Sequence, residues 1–288
     1  MMKVCAIGLA LALCAFARDA DAAVSCSQSL NTPQAPFRIF GNTYYVGTHG
    51  VSSVLITSDQ GHVLIDGDLA VSVPMIADHI RALGFRVADV KLILNTHVHC
   101  DHAGGIAALQ KMSGAAIKAS PASAVILSGG GVSPDDPQYG IAVPLSPAAN
   151  VSAIADGEVL HVGPIAVTAH FTPGHTAGGT SWTWTSCEKS RCLRMVDADS
   201  LTAISAPGYR FSDHPTVLGQ FEHSFGVMAR LPCDILVTAH PELSGLWTRL
   251  DKRMHGDADA MIDASACRNY ATNARADLAR RLAGEKIQ

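Results

Sequence analysis

The chain has 288 residues, of which 48% are hydrophobic and only 16% are charged. This length suffices for one large domain or two small ones with a substantial core, and the composition excludes a disordered protein. The formal net charge of -4 at pH 7 offers no basic field to nucleic acid, so we expect no nucleic-acid partner.

The N-terminus has the pattern of a secretory signal peptide. Lys3 supplies a positive charge, an almost unbroken apolar run covers residues 4–17, and Ala20 and Ala22 have the spacing of a cleavage site. No later segment is long and apolar enough to span a bilayer. We therefore predict a signal peptide over residues 1–22, one domain over residues 23–288 and a periplasmic location. A buried N-terminal helix is the alternative.

Strands and helices alternate in the predicted chain order. In the first half, strands are expected over residues 37–40, 43–46, 53–57, 63–66, 91–95 and 115–119, and helices over residues 73–83, 106–112 and 121–127. In the second half, strands are expected over residues 159–162, 165–170, 180–185 and 193–196, and helices over residues 215–231 and 257–282. Two β-rich halves, each covered by helices, predict an α/β protein with a four-layer αββα sandwich.

Residues 129–149 break this alternation. They contain three consecutive glycines and four prolines, and no hydrophobic period runs through them. A loop of this length inside a compact domain usually has a function, so we expect a functional role for it.

A cluster of potential metal ligands lies in the sequence NTHVHCDHAGG, residues 95–105. The spacing of His97 and His99 points both rings to one side of an extended or turning segment. Asp101 and His102 follow at once and must point elsewhere unless the chain turns. Imidazole and carboxylate ligands suit zinc, so the simplest solution is two adjacent zinc sites, one for each pair.

Two distant histidines are the best candidates to complete these sites. A catalytic zinc takes three protein ligands and leaves a fourth position open, so each pair lacks one ligand. His175 lies in a turn after a predicted strand, and His240 follows the apolar run over residues 234–237. The functional groups of α/β proteins gather at such strand ends. Gly104 and Gly105 are expected to supply the backbone freedom for the turn between the two pairs. We expect surface or structural roles for the remaining histidines.

Six cysteines remain after the signal peptide, in an oxidising compartment where disulfides form. The sequence alone does not decide among their fifteen pairings. The short spacing of Cys187 and Cys192 suggests a local disulfide, and Cys233 with Cys267 is the next pair expected.

Cys26 and Cys100 are left over by these pairs. Residues 23–26 weakly resemble a lipoprotein cleavage box, so a lipid on Cys26 is one alternative. We expect Cys100 to be a buried, unreactive thiol, with a metal ligand or an oxidation-sensitive group as the alternatives.

The motifs resemble those of a known family. Residues 96–102, THVHCDH, resemble the signature of the metallo-β-lactamase superfamily, and residues 173–175 and 238–240 resemble its later ligand motifs. Three further stretches narrow the resemblance to class B, subclass 3 metallo-β-lactamases: residues 198–202, 205–211 and 239–242. The resemblance covers essentially the whole mature chain. It implies the αββα sandwich, with two similar halves and the metal site between them at one edge.

The resemblance also implies the ligand sets and disulfides. Two zinc ions would bind per chain, the first to His97, His99 and His175. The second would bind to Asp101, His102 and His240. Two disulfides are implied as well: Cys187–Cys192 and Cys233–Cys267.

The implied activity is hydrolysis of the amide bond of β-lactam antibiotics (penicillins, cephalosporins and carbapenems) by a metal-activated hydroxide, which confers antibiotic resistance. Asp101 would help to orient the nucleophile. Ser200 and Thr202 would hold the substrate carboxylate, directly or through water, and Gln138 would lie at the cleft edge. We expect a monomer that acts on a small-molecule substrate.

Other functions share the fold. It also occurs in lactonases, glyoxalase II, ribonucleases, phosphodiesterases and sulfatases, so the fold does not settle the substrate. Many of these enzymes use an aspartate that bridges both metals, and Asp199 stands close to that pattern. We expect Asp199 to support a ligand instead, because subclass 3 enzymes have the same Ala-Asp-Ser sequence. A non-enzymatic zinc protein would need a closed site, usually with four Cys or His ligands.

Overall fold

The computed structural model describes Cys26 and residues 28–286. The predicted signal peptide lies outside these residues. Within the described part of the chain, no helix has both the length and the apolar character needed to cross a membrane.

Twelve strands and seven α-helices make up the described chain. The strands are β1 Phe37–Phe40, β2 Thr43–Tyr45, β3 Val54–Ile56, β4 His62–Ile65, β5 Val90–Leu94, β6 Ala116–Ala119, β7 Val151–Ala153, β8 Val159–Val162, β9 Ile165–Phe171, β10 Thr180–Glu188, β11 Arg191–Ala198 and β12 Ile235–Thr238. The helices are α1 Val73–Ala82, α2 Cys100–Ala103, α3 Ile106–Ser113, α4 Pro121–Gly129, α5 Pro215–Arg230, α6 Leu246–Met254 and α7 Ala266–Glu285.

Two sheets lie between two layers of helices, which confirms the predicted αββα sandwich. Strands β1 to β7 form a seven-stranded sheet in sequence order, and β12 to β8 form a five-stranded sheet. One buried cluster fills the space between the sheets, with Trp182 and Ile65 fully enclosed. A second cluster packs α1 and α3 on the first sheet, and a third packs α5 and α7 on the second. Each fully buried aliphatic side chain contributes roughly 1.5–3 kcal/mol.

The C-terminal part differs from the predicted elements. The expected helix over residues 257–282 begins at Ala266, and α6 is an additional helix. Turns precede α7 because aspartates there bond to nearby backbone. The side chain of Asp257 accepts from the Asp259 N–H at 3.2 Å, and that of Asp263 accepts from the Ser265 N–H at 2.9 Å.

Three disulfides link distant or adjacent parts of the fold. Cys187–Cys192 closes the β10–β11 hairpin, and Cys233–Cys267 ties the start of β12 to α7. The third bond joins Cys26 to Cys100 across 74 residues. The expected free thiol at Cys100 is therefore wrong, as is the lipid alternative at Cys26. Gln28 lines the same surface depression as Cys100 and Gly104, so the chain after Cys26 runs beside the turn that carries the predicted ligands.

Candidate metal centre

The turn after β5 carries four of the predicted ligands. His97 and His99 follow the strand in extended chain, and His99 precedes α2 with φ -83° and ψ 153°. The short helix then reverses the chain, so that Asp101 and His102 project from its first turn. This helix therefore makes the turn that was predicted between the two pairs of ligands.

Gly104 and Gly105 have a different role from the predicted one. Both adopt right-handed helical conformations, with φ -59° and -86°, which any residue can adopt. A Cβ atom on Gly105 would lie 2.1 Å from the carbonyl oxygen of Gly67, and one on Gly104 would lie 2.9 Å from the Ala70 nitrogen. These glycines permit close backbone packing, so the expectation of special backbone freedom is wrong.

The first three predicted ligands converge. The Nδ1 atom of His99 lies 3.1 Å from the Nε2 atom of His175. The Nε2 atom of His97 is buried, with no hydrogen-bond partner within the described residues. The ligand atoms of the three rings lie within 4.8 Å of one another. A shared cation would satisfy these facing nitrogens, and the donor set fits zinc.

The second set lies beside the first. The Nε2 atoms of His102 and His240 are 3.3 Å apart, and the Oδ2 atom of Asp101 lies 3.3 Å from the first and 3.5 Å from the second. His97, Asp101 and His102 also form a possible metal-binding group. His97 belongs to both groups, so the two groups of side chains are adjacent.

Oxygen atoms lie close to the outward-facing nitrogens of four of these rings, an arrangement that orients ligand rings. These pairs are His97 Nδ1 with Asp199 Oδ1 at 2.8 Å, His99 Nε2 with Asp136 Oδ2 at 2.9 Å, His175 Nδ1 with the Thr202 carbonyl at 2.7 Å and His240 Nδ1 with the Gly50 carbonyl at 3.0 Å. Asp199 thus lies behind His97, which agrees with a supporting role.

Burial and neighbouring charges set the protonation of the ligands. Burial lowers the pKa of His97 and brings the pKa of His175 to about 3, with nearby histidines adding to both shifts. These rings are therefore neutral at pH 7, the form that binds metal. Burial alone would raise the pKa of Asp101, but His102 outweighs it and holds this pKa well below its usual range.

Further carboxylates are buried around the centre. Asp66 accepts hydrogen bonds from the Thr96 N–H at 2.8 Å and from the Asn95 side chain at 3.1 Å. Burial raises the pKa of Asp68 and of Asp199. Bound cations would favour the ionised form of such groups, so this excess of acidic groups also fits a metal centre.

The three predicted substrate residues differ in their exposure. Ser200 is buried, and its hydroxyl has no hydrogen-bond partner among the described residues. Thr202 is half-buried, and its hydroxyl lies 3.2 Å from His175 Nδ1. Gln138 is half-buried in the loop, and its N–H donates to Asp136 Oδ1 at 2.7 Å.

Asp136 is the residue that the sequence analysis missed. Its loop was singled out by length and composition, but no spacing rule connects Asp136 with His99, which lies 37 residues away. The sole signal in the sequence is an acidic pair before a proline inside a long loop.

Comparisons with known proteins identify the family. Residues 46–186 match the model of the metallo-β-lactamase superfamily. The Rm3 metallo-β-lactamase is 54% identical, with a TM-score of 0.88 over 90% of this chain and 97% of that one. MEM-A1, a subclass B3 metallo-β-lactamase from a soil metagenome library, is 50% identical, with a TM-score of 0.87 over 90% of this chain and 99% of that one.

A curated relative is more distant. The lactamase-like protein nscB of Arthroderma otae is 29% identical over 71% of this chain. The match covers 53% of nscB, so the chain spans about half the length of that relative. The two solved structures, by contrast, are matched over nearly their whole lengths. The chain therefore belongs to the metallo-β-lactamase superfamily, and its structural neighbour MEM-A1 is of subclass B3.

Proposed function

We propose that this chain is a zinc-dependent, subclass B3 β-lactamase that hydrolyses the amide bond of β-lactam antibiotics and so confers resistance to them. The observation that carries the proposal is the pair of converging ligand sets at one edge of the sandwich. The similarity to Rm3 and MEM-A1 over nearly their full lengths supports the same substrate class.

Two zinc ions are proposed for each chain. The first would bind to His97, His99 and His175. The second would bind to Asp101, His102 and His240. When bound, zinc supplies Lewis acidity and lowers the pKa of water towards ~7, which makes a hydroxide nucleophile available at neutral pH.

Side chains at the centre would also orient the nucleophile and bind the substrate. Asp101 has one oxygen directed at His102 and His240, and it would orient the nucleophile as well as bind metal. Thr202 would help to hold the substrate, since it contacts the proposed ligand His175 directly. Gln138 would border the substrate, since it is linked to the proposed ligand His99 through Asp136. Ser200, whose buried hydroxyl has no partner among the described residues, would hold the substrate carboxylate directly or through water.

The cellular setting is also a proposal. The N-terminal pattern supports export to the periplasm, where β-lactams act on the cell wall and where the three disulfides can form. We propose that the mature chain works there as a monomer on a small-molecule substrate.

The proposal is tested by an assay of the purified mature protein. A chromogenic cephalosporin should be hydrolysed, EDTA should abolish the activity and added zinc should restore it. A preparation of His97→Ala, purified in the same way, controls for contaminating enzymes. Absence of β-lactam turnover, together with rapid turnover of a lactone or of S-lactoylglutathione, would contradict the proposal.

A further inference from the structure

Asp136 is a buried carboxylate in an otherwise irregular loop. Between α4 and β7 the chain forms one isolated bridge, between Gly131 and Leu145. Asp135 beside it is exposed, whereas Asp136 is 4% exposed. A buried carboxylate must find charged or polar partners, and those of Asp136 show what the burial achieves.

One oxygen of Asp136 meets the metal centre. Its Oδ2 atom lies 2.9 Å from Nε2 of His99, while Nδ1 of the same ring faces His175 at 3.1 Å. An Nε2–H that donates to the carboxylate leaves the Nδ1 lone pair directed at the metal position. Asp136 therefore selects the tautomer and the orientation of His99 that metal binding needs.

The other oxygen of Asp136 organises the loop. Its Oδ1 atom accepts from the Gln138 N–H at 2.7 Å, and its backbone carbonyl accepts from the Tyr139 N–H at 2.8 Å. The next carbonyl, that of Pro137, accepts from the Ala206 N–H at 2.8 Å. Asp136 thus shapes the turn that carries Gln138 and brings it against the segment that follows Thr202.

The partners of other ligand histidines come from different places. Asp199, which lies beside His97, directly follows β11, and Gly50, which accepts from His240, belongs to the turn after β2. Among the described contacts, His99 is the ligand whose outer partner lies in the loop between α4 and β7. Metal site and loop therefore share one carboxylate.

We propose that Asp136 is a positioning residue that couples the ordering of the loop over residues 130–150 to occupancy of the first metal site. The inference rests on the proposed function, because it takes His99 as a metal ligand. The Nε2–H of His99 becomes a stronger donor when Nδ1 binds a cation, so metal binding tightens the loop contact. By reciprocity, an ordered loop strengthens metal binding.

The test compares Asp136→Asn with Asp135→Asn, a matched change at the exposed neighbour. Zinc affinities are measured on metal-free protein by competition with a chromophoric chelator. Hydrogen exchange of peptides over residues 130–150 is followed with and without zinc. For Asp136→Asn we expect one of the two zinc affinities to fall by about 10–100-fold. Zinc-dependent protection of the loop should also be lost, whereas Asp135→Asn should match the wild type in both measurements.

Each outcome bears on the proposal. Unchanged zinc affinity in Asp136→Asn would overturn it, even if the wild type binds two zinc ions and hydrolyses β-lactams. Weaker binding with the zinc-dependent loop protection intact would overturn the coupling. If Asp136→Asn fails to fold, hydrogen exchange of the wild-type loop still tests the proposal. Equal protection of the loop with and without zinc would contradict it. A wild type that binds no zinc would overturn the proposed function as well.

Discussion

The turn that carries the proposed metal ligands and the loop over residues 130–150 are built in different ways. The ligand turn from His97 to His102 follows a buried strand, and it is backed by buried carboxylates and by glycines that admit close backbone packing. The loop over residues 130–150 has one isolated bridge and is anchored through Asp136. A buried strand and close packing thus hold the proposed metal ligands, whereas the loop is held by a few specific contacts.

The segment after Thr202 is intermediate between these two. It has little regular structure, but the C-terminal helix holds it. The carboxylate of Glu285 accepts from the backbone N–H groups of Phe211 at 3.0 Å and of Ser212 at 2.9 Å, and Arg281 donates to the Tyr209 carbonyl at 3.0 Å. Side chains of α7 therefore hold the backbone of this segment in place of regular secondary structure.

The largest effect is expected from His102→Ala, which removes a ligand from the rigid side. Loss of a residue that merely supports a metal ligand costs about 10–100-fold, so loss of the ligand itself should lower kcat/KM by more than ~100-fold. Zinc content, measured on the purified variant, should fall towards one ion per chain. His255→Ala, an exposed histidine whose described partners are in Asp251, should match the wild type. Two zinc ions at unchanged activity in His102→Ala would defeat the assignment.

Removal of a disulfide is expected to have a smaller effect, on stability and on zinc affinity. The Cys26–Cys100 bond closes a loop of 74 residues next to His99 and Asp101, whereas Cys187–Cys192 closes five residues in a hairpin already paired by its strands. In the chain-entropy model, the first should contribute about 4 kcal/mol to the free energy of unfolding and the second about 2 kcal/mol.

The double variants to Ser at each pair test this difference by denaturant unfolding and by zinc competition. We expect zinc affinity to fall in the Cys26/Cys100 variant alone, because Cys100 lies between two ligands. Equal losses of stability and equal zinc affinities in both variants would show that the long disulfide does not support the ligand turn.

The smallest effect is expected from replacement of Glu285, a residue that is 6% exposed, and it concerns the free energy of unfolding. Burial would raise its pKa, but the hydrogen bonds from Ser212, Arg281 and Phe211 outweigh burial and lower the pKa to about 2. Its contribution is therefore complete above the ordinary value of 4.5 and is lost as the pH falls towards 2. At pH 7, Glu285→Gln should lower the free energy of unfolding by about 1–3 kcal/mol.

Unfolding at pH 7 and at pH 3 checks the sign of this dependence. The difference between wild type and Glu285→Gln should shrink at the lower pH. Glu222→Gln is the matched control, since its exposed pair with Arg275 should contribute less than about 1 kcal/mol. A difference that is the same at both pH values would contradict the low pKa.

Local patterns of the sequence predicted much of the fold. The bounds of β1 and β8 match the expected strands, and β9, β10 and β11 are longer than expected by one to a few residues. These elements have clear periods and are bounded by turn residues. The start of α7 was misplaced, because aspartates that bond to their own backbone end a helical period without changing its hydrophobic pattern.

The site shows the same limit. The spacing of His97, His99, Asp101 and His102 predicted two groups of ligands, and the structure brings each group to its distant histidine. The contact of Asp136 with His99 and the bond between Cys26 and Cys100 join residues 37 and 74 positions apart. These contacts form where irregular segments cross the edge of a sheet. Such segments have no hydrophobic period, so the sequence pattern does not predict their path.

Anomalous X-ray diffraction at the zinc absorption edge, from crystals of the zinc-loaded protein, tests whether each chain binds two zinc ions at these side chains. We predict two anomalous peaks per chain, one among His97, His99 and His175. The other should lie among three further side chains: Asp101, His102 and His240. A single peak, or a peak bound directly by Asp199 or Asp136, would contradict this prediction.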